Sequence, residues 1–287
     1  MSVIVVGGAN RDLSIRVDRR PGPGETVLAT ASQESNGGKG ANQAWAAARA
    51  GAAVEFIGAV GSDAAGTDQL DELARAGVVS RMRIVDDLPT GMAVITVTPD
   101  GENCITVIPG ANDRVADLVP TSFPSDAIVL VQTEIGRRAS ELAMASARRS
   151  GARLVVNAAP VLDIEPRAWE CDLLVVNEHE AADILARIGA DDITGERVAR
   201  EILVHTGATA VCVTLGSRGA LLCSGVGQET VHIPTRRADP VDTTGSGDTF
   251  VGYLVARASF GHTWPDAVHA GLAAATDSVE RAGARVW

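Results

Sequence analysis

Six short, continuous apolar runs, separated by segments of helical period, constrain this chain more tightly than any other feature. They are VIVV at 3–6, VEFIGAV at 54–60, AIVLV at 127–131, RLVVN at 153–157, LLVVN at 173–177 and AVCVTL at 210–215. Between them, residues 63–76 place Leu70, Leu73 and Ala74 on one face of a helix. Residues 137–150 do the same with Ala139, Leu142, Ala143 and Ala147. A strand that is apolar at every position must be covered on both sides, so such runs linked by helices predict a parallel sheet with helices on both faces. The expected fold is α/β and doubly wound, mostly parallel, in one domain over 1–287, with ligands bound beyond the carboxyl ends of the strands. A chain of 287 residues with 46% hydrophobic content can bury the core this requires.

Two stretches break the alternation. Residues 12–32 and 90–108 look like strands joined by turns, with Pro99-Asp100-Gly101 supplying a hairpin. Strands inserted between βα units, over about 12–36 and 88–110, predict a small β-sheet that stands off the main one as a lid. In Met92–Val97 both faces of the strand are largely apolar, which predicts a cover on its outer side and hence a homodimer through two such lids.

Charge and cysteine usage exclude several classes. A formal net charge of −11 without any basic run argues against binding nucleic acid. Cys104, Cys171, Cys212 and Cys223 form no CxxC spacing, and the five histidines show no HxH or HExxH pattern, so free thiols and no structural metal are expected. The first apolar run is too short for a signal peptide, and none reaches the length of a membrane span. A cytoplasmic protein without membrane contact is expected.

Two glycine-rich segments carry the candidate chemistry. Asp242–Phe250 reads DTTGSGDTF and runs into a helical pattern with Val251, Leu254, Val255 and Ala258 on one face. Main-chain N–H groups at such a helix start suit a phosphate or a developing oxyanion. Asp248 in that turn reads equally as a helix cap or as a base beside the anion site. The other segment, NGGKGANQ at 36–43, holds Lys39, the one lysine among 25 basic residues. Neither segment is a Walker loop, which needs GxxxxGK[ST], and the GGAN after the first strand fails the dinucleotide pattern GxGxxG.

Taken in order, Gly8, Asn10 and Asp12, GGKGANQA at 37–44, GAN at 110–112, QTE at 132–134, NAAP at 157–160, NEHE at 177–180, TLGSRG at 214–219 and DTTGSGDTF at 242–250 resemble the ribokinase family of carbohydrate kinases almost end to end. The resemblance implies ATP-dependent phosphorylation of D-ribose at its 5-hydroxyl. Asn10, Asp12, Gly38, Lys39, Asn42 and Glu134 would hold the sugar. Asp248 would take the hydroxyl proton, with Gly245, Ser246 and Gly247 as the anion hole. Asn177, Thr214, Gly216, Ser217, Gly219 and Gly247 would line the ATP site, and Glu180 would reach Mg2+ through water. Asp242, Thr244, Ser278, Arg281 and Gly283 would hold a monovalent cation, K+.

Three departures accompany the resemblance. NAAP replaces the family's NPAP, no adenine-flanking histidine stands near Leu272, and the family's usual cation-site serine is missing where the sequence reaches Trp287. Weaker cation binding and a looser nucleotide pocket are the expectations. The alternatives are a kinase for deoxyribose, another small sugar or a nucleoside, and a non-catalytic sugar-binding regulator. Asp12 with GGKGANQ favours ribose, and an aromatic content of 3% speaks against a nucleoside base pocket. For Lys39 the competing reading is a solvated surface lysine; a compact ammonium among close-set glycines suits a cluster of hydroxyls better than the wide fork of arginine.

Overall fold

The computed structural model describes residues 1–100, 103–190 and 192–285. The chain begins with β1 (Val3–Val6), β2 (Asn10–Val17), β3 (Ala29–Gly37), α1 (Lys39–Arg49), β4 (Val54–Gly61), α2 (Ala64–Arg75) and β5 (Val79–Val85). It continues with β6 (Gly91–Val97), β7 (Asn103–Ile108), β8 (Ile128–Gln132), α3 (Gly136–Ser150), β9 (Arg153–Asn157), β10 (Leu173–Asn177) and α4 (Glu178–Arg187). The last elements are α5 (Arg197–Thr206), β11 (Val211–Thr214), β12 (Ala220–Cys223), β13 (Val231–Ile233), α6 (Ser246–Ser259) and α7 (Trp264–Ser278).

Among the described residues the main sheet has nine strands in the order β13-β12-β11-β10-β9-β8-β1-β4-β5. Every neighbouring pair from β5 through β11 is parallel, and a β12–β13 hairpin adds an antiparallel edge. The period-2 geometry of the strands divides the core. Ile4, Val6, Val129 and Val131 face α3, α4 and α5, while Val3, Val5, Ile128 and Leu130 face α1, α6 and α7. Both faces are covered, as the continuous apolar runs require. Each fully buried branched side chain such as Leu130 or Leu154 contributes about 1.5–3 kcal/mol over its exposed state.

Two details of the expected helix faces differ. Leu142 is 41% exposed, because α3 lies on the sheet through the small residues Ala139, Ser140, Ala143 and Ala147, which rotates its buried stripe away from Leu142. Ala74 is exposed, because α2 covers only the sheet's edge and buries Gly66, Gln69 and Leu73. Cys104 is exposed on β7, whereas the other three cysteines are buried; all are free. Strands β5, β12 and β13 had no signal in the apolar-run pattern.

The second sheet has the order β3-β2-β6-β7. Its outer pairs are antiparallel and its central β2–β6 pair is parallel, so it consists of two out-and-back excursions laid side by side. The hairpin turn expected over 99–101 lies partly outside the described residues; the strands it joins pair from Met92 opposite Ile108 to Val97 opposite Asn103. β7 is exposed along its whole length, including Ile105, Val107 and Ile108. Among the described residues no helix is long and apolar enough to cross a membrane, and no cluster of His, Cys, Asp and Glu could hold a metal ion.

Strand order reverses at β1, which has β4 on one side and β8 on the other. Ligands of open α/β sheets bind at such a switch point, beyond the strands' carboxyl ends. There the apolar runs end in polar residues that pair in register, Gln132 beside Asn157 and Asn177 beside Thr214.

Candidate active site

Two helices start at this crevice. The chain enters α1 through Gly38, whose φ of 87° and close approach to the backbone of Asn10 leave no room for a side chain: a Cβ there would lie 2.7 Å from the Asn10 nitrogen. Helix α6 follows its cap Gly245 and buries residues nearly all round, lying between α1 and α7. At Gly252 a Cβ would lie 2.5 Å from the Ala46 Cβ and 2.7 Å from the Gln43 carbonyl oxygen. That close crossing of α1 and α6 sets two amide side chains against Asp248. Asn42 Nδ2 donates to Asp248 Oδ2 and Gln43 Nε2 to Oδ1, each at 2.9 Å.

Asp248 is 8% exposed, and its carboxylate does not cap α6; the cap is Gly245, without a side-chain bond. Of the two readings of this turn, the structure therefore supports a carboxylate held by other side chains. Gln43 Nε2 also donates to Asn157 Oδ1 at 2.9 Å, and Gln132 Nε2 donates to Gln43 Oε1 at 2.6 Å. These bonds settle which end of the Gln43 amide faces Asp248.

On one side of Asp248 lie Asn10, Asp12, Gly38 and Glu134. Asn112 Nδ2 donates to Asn10 Oδ1 at 2.8 Å, and the Lys39 main-chain N–H donates to Glu134 Oε2 at 2.9 Å. Asp12 is 9% exposed and its Oδ1 is buried without a hydrogen-bond partner among the described residues. Such an oxygen is costly to leave unpaired, and a ligand hydroxyl would satisfy it. Burial, then the nearby Glu134 and Asp248 carboxylates, push the Asp12 acid up to about 7, against the opposing pull of Arg285 and Lys39. Burial also raises Glu134, with the Lys39 ammonium acting against it.

Lys39 is not a solvated surface residue. It lines a cleft of about 130 Å³ with Asn157, Asn177, Glu180, Gly245, Gly247 and Asp248. Burial works to depress its ammonium, but the carboxylates of Asp248, Glu134, Glu180 and Asp12 outweigh it and hold the group above its ordinary value. A cation there is the counter-charge that lets several acids share one crevice.

A neighbouring cleft of about 420 Å³ meets this one at Thr214, Gly247 and Phe250. Thr214, Gly216, Ser217 and Gly219 form one wall, and Leu272, Ala275 and Val279 an apolar one. Its size and apolar walls suit a flat heterocycle. Asn177 and Glu180 cap α4 reciprocally: Asn177 Oδ1 accepts from the Glu180 N–H at 2.9 Å, and Glu180 Oε2 from the Asn177 N–H at 2.7 Å. Burial raises the Glu180 acid, with the Asn177 N–H acting against it.

At the start of α6 the Ser246 N–H is turned back to the Thr243 carbonyl at 3.2 Å, while Gly245 and Gly247 face the smaller cleft. Asp242 accepts from the Thr244 N–H through Oδ1 and from the Gly283 N–H through Oδ2, both at 2.9 Å. This ties the loop before α6 to the segment after α7. Ser278 directs its hydroxyl to the Ala275 carbonyl, and its own carbonyl accepts from the Arg281 N–H. Trp287 lies outside the described residues.

Several residues of this network have no expected role in the sequence reading. Gln43, Gln132 and Asn157 are nearly or fully buried polar groups within apolar elements, a contrast visible in the motifs themselves. Arg285, Glu72 and Gln69 join the network from distant segments, and nothing in their local sequence marks them.

A carboxylate aimed at a helix N-terminus, between a pocket of unsatisfied polar groups and a nucleotide-sized cleft, is equipped to handle an alcohol and a phosphoryl group together, which places the protein among the small-molecule kinases. The pattern described as pfkB family carbohydrate kinase matches residues 1–286. The chain belongs to the pfkB family of carbohydrate kinases. A ribokinase from Schizosaccharomyces pombe is 34% identical over 99% of this chain and 93% of its own. The crystal structure of a ribokinase from Thermotoga maritima matches with a TM-score of 0.88 at 32% identity, covering 99% of this chain and 95% of that one. A ribokinase from Arabidopsis thaliana complexed with ribose and ATP matches with a TM-score of 0.83 at 29% identity, over 99% and 94% of the two chains.

Proposed function

We propose that this protein transfers the γ-phosphoryl group of ATP to the 5-hydroxyl of D-ribose, yielding D-ribose 5-phosphate and ADP. The observation that carries the reading is the double amide grip on Asp248 at the N-terminus of α6. Two amide donors, one on each oxygen, hold the carboxylate in one orientation, and a base needs contact and alignment more than unusual basicity. Asp248 takes the proton as the ribose oxygen attacks the γ-phosphorus, and the bond from that phosphorus to the bridging oxygen of ADP breaks. Charge developing on the transferring group is met by the free N–H groups at the start of α6 around Gly245 and Gly247, and by Lys39.

Asn10, Asp12, Gly38, Asn42 and Glu134 bind the sugar in this reading, its hydroxyls supplying the partner that Asp12 Oδ1 lacks. Thr214, Gly216, Ser217 and Gly219 receive the nucleoside, and Asn177 the phosphates. A single carboxylate suits magnesium bound together with phosphate oxygens, since that ion takes few carboxylates and keeps its waters: Glu180, which caps α4 with Asn177, would hold it through water, and the ion would neutralise phosphate charge. Asp242, Thr244, Ser278, Arg281 and Gly283 would hold a monovalent cation through their oxygens beside the anion site, a reading supported by the Asp242–Gly283 bond that draws the two segments together.

The second sheet serves as the lid over the sugar, since β2 leaves and β3 returns at the binding residues Asn10 and Gly38. Its exposed edge strand β7, with Ile105, Val107 and Ile108, pairs with a second copy in a homodimer. Free thiols and the use of ATP support a cytoplasmic location in this reading.

The test is a coupled assay for ADP with ATP, magnesium and a panel of pentoses, deoxyribose and nucleosides. Ribose should give the highest kcat/KM, and Asp248→Ala should lower kcat by about 10²–10⁴ while leaving ATP binding near its original strength. Turnover of ribose that survives Asp248→Ala, or a stronger preference for another acceptor, overturns the proposal.

A further inference from the structure

Arg285 stands more than two hundred residues along the chain from α1, yet its side chain is 3% exposed and fully engaged there. Its Nε–H donates to Asn42 Oδ1 at 2.9 Å, Nη1 to Glu72 Oε2 at 3.0 Å, and Nη2 to the Gly37 carbonyl and to Gln69 Oε1, both at 3.1 Å. Gln69 in turn donates to the carbonyls of Asn10 and Gly37, at 2.5 and 3.0 Å. One guanidinium therefore joins the segment after α7 to α1, α2 and the two points where the second sheet departs from the body.

The bond to Asn42 has a directional consequence. A side-chain amide has two nearly isosteric orientations, and only its partners decide between them. Arginine can only donate, so Asn42 must present Oδ1 to Arg285 and thereby turns Nδ2 toward Asp248, which can only accept while ionised. The chain runs from cation to amide to carboxylate, each link fixing the polarity of the next. Gln132 does the same for Gln43 on the other carboxylate oxygen, but with a neutral donor.

We infer that Arg285 is a positioning residue for phosphoryl transfer, which acts through Asn42 to hold the Asp248 carboxylate in its reactive orientation and anchors the base of the second sheet against α2. The kinetic part of this inference rests on the proposed function; the orientation of Asn42 does not.

Removing Arg285 alone leaves the half-buried Glu72 carboxylate with the Asn36 amide and no cation, so the informative protein is the Glu72→Gln/Arg285→Met double variant, with Glu72→Gln as its control. The control keeps the Asn42 bond and should retain kcat within about twofold. The double variant should lose about 10- to 100-fold in kcat, as expected for a misaligned catalytic group, with a smaller change in KM for ATP. In an Asn42→Ala background the same pair of substitutions should change kcat little further, because its route to Asp248 is already cut. An equal loss in both backgrounds, or a Glu72→Gln loss as large as that of the double variant, overturns the kinetic role.

A second measurement needs no sugar. The Asn42 side-chain NH2 resonances, assigned by their absence in Asn42→Ala, should exchange slowly with solvent in the original protein and much faster in the double variant. Unchanged exchange overturns the inference and leaves the proposed function intact. A folded protein with slow Asn42 exchange that phosphorylates no sugar overturns the proposed function and upholds the orientation.

Discussion

Replacing Asp12 by asparagine should make the protein more stable at neutral and alkaline pH, and the amount follows from its surroundings. Burial first, and the Glu134 and Asp248 carboxylates next, lift the acid from 3.8 to about 7 in the folded state. Each unit is about 1.4 kcal/mol, so a rise of about 3 units corresponds to roughly 4 kcal/mol of destabilisation once the group is ionised in both states. The sign follows from proton binding. Between about pH 4 and 7 the folded protein holds a proton that the unfolded chain has released, so the favourable contribution present at low pH is lost as pH rises through 7.

Asparagine keeps the shape, carries no charge and should escape this loss. Urea unfolding followed by tryptophan fluorescence at pH 4.5, 6 and 8 should show the variant gaining on the original protein at each step. The advantage should approach a few kcal/mol at pH 8, while affinity for sugar falls. An advantage independent of pH, or an original protein more stable than Asp12→Asn at pH 8, would refute the reasoning.

Two further outcomes are expected. Gly252→Val inserts atoms where even a Cβ lies 2.5 Å from Ala46. It should part α1 from α6, cost about 1–3 kcal/mol in thermal or urea unfolding, and lower kcat more than the KM for ATP, since Asn42 and Gln43 retreat from Asp248. If two copies pair through β7 as proposed, Val107→Glu, which charges this exposed edge strand, should convert the proposed dimer to monomers in sedimentation at micromolar concentration and raise the KM for ribose.

Much of the architecture was legible in the apolar runs, because a strand buried on both faces needs an unbroken apolar stretch and announces itself locally. The helix start at Ser246 was equally legible, since glycine before a helical pattern marks a backbone turn that other residues resist. The β12–β13 hairpin escaped because its strands are only four and three residues long; β12 is buried between β11 and β13, and of the two β13 alone lies at the edge. Leu142 was misplaced because helical period gives the spacing of a stripe but not its rotation, which depends on how closely the neighbouring layer approaches.

For the site, the glycine-rich turn itself brought Asp248 under suspicion, because phosphate chemistry calls for main-chain donors at a helix start; Asn42, Glu134, Asn177 and Thr214 came under suspicion through the resemblance to the ribokinase family. Spacing could not tell whether Asp248 caps its own helix; that followed from the α1–α6 crossing, which offers it two amides in place of backbone. Nor could local sequence single out Arg285, whose partners Asn42, Glu72 and Gly37 lie more than two hundred residues earlier. Local propensities act over a few residues, while the orientation and charge of a buried polar group are set by whatever the closed fold brings against it.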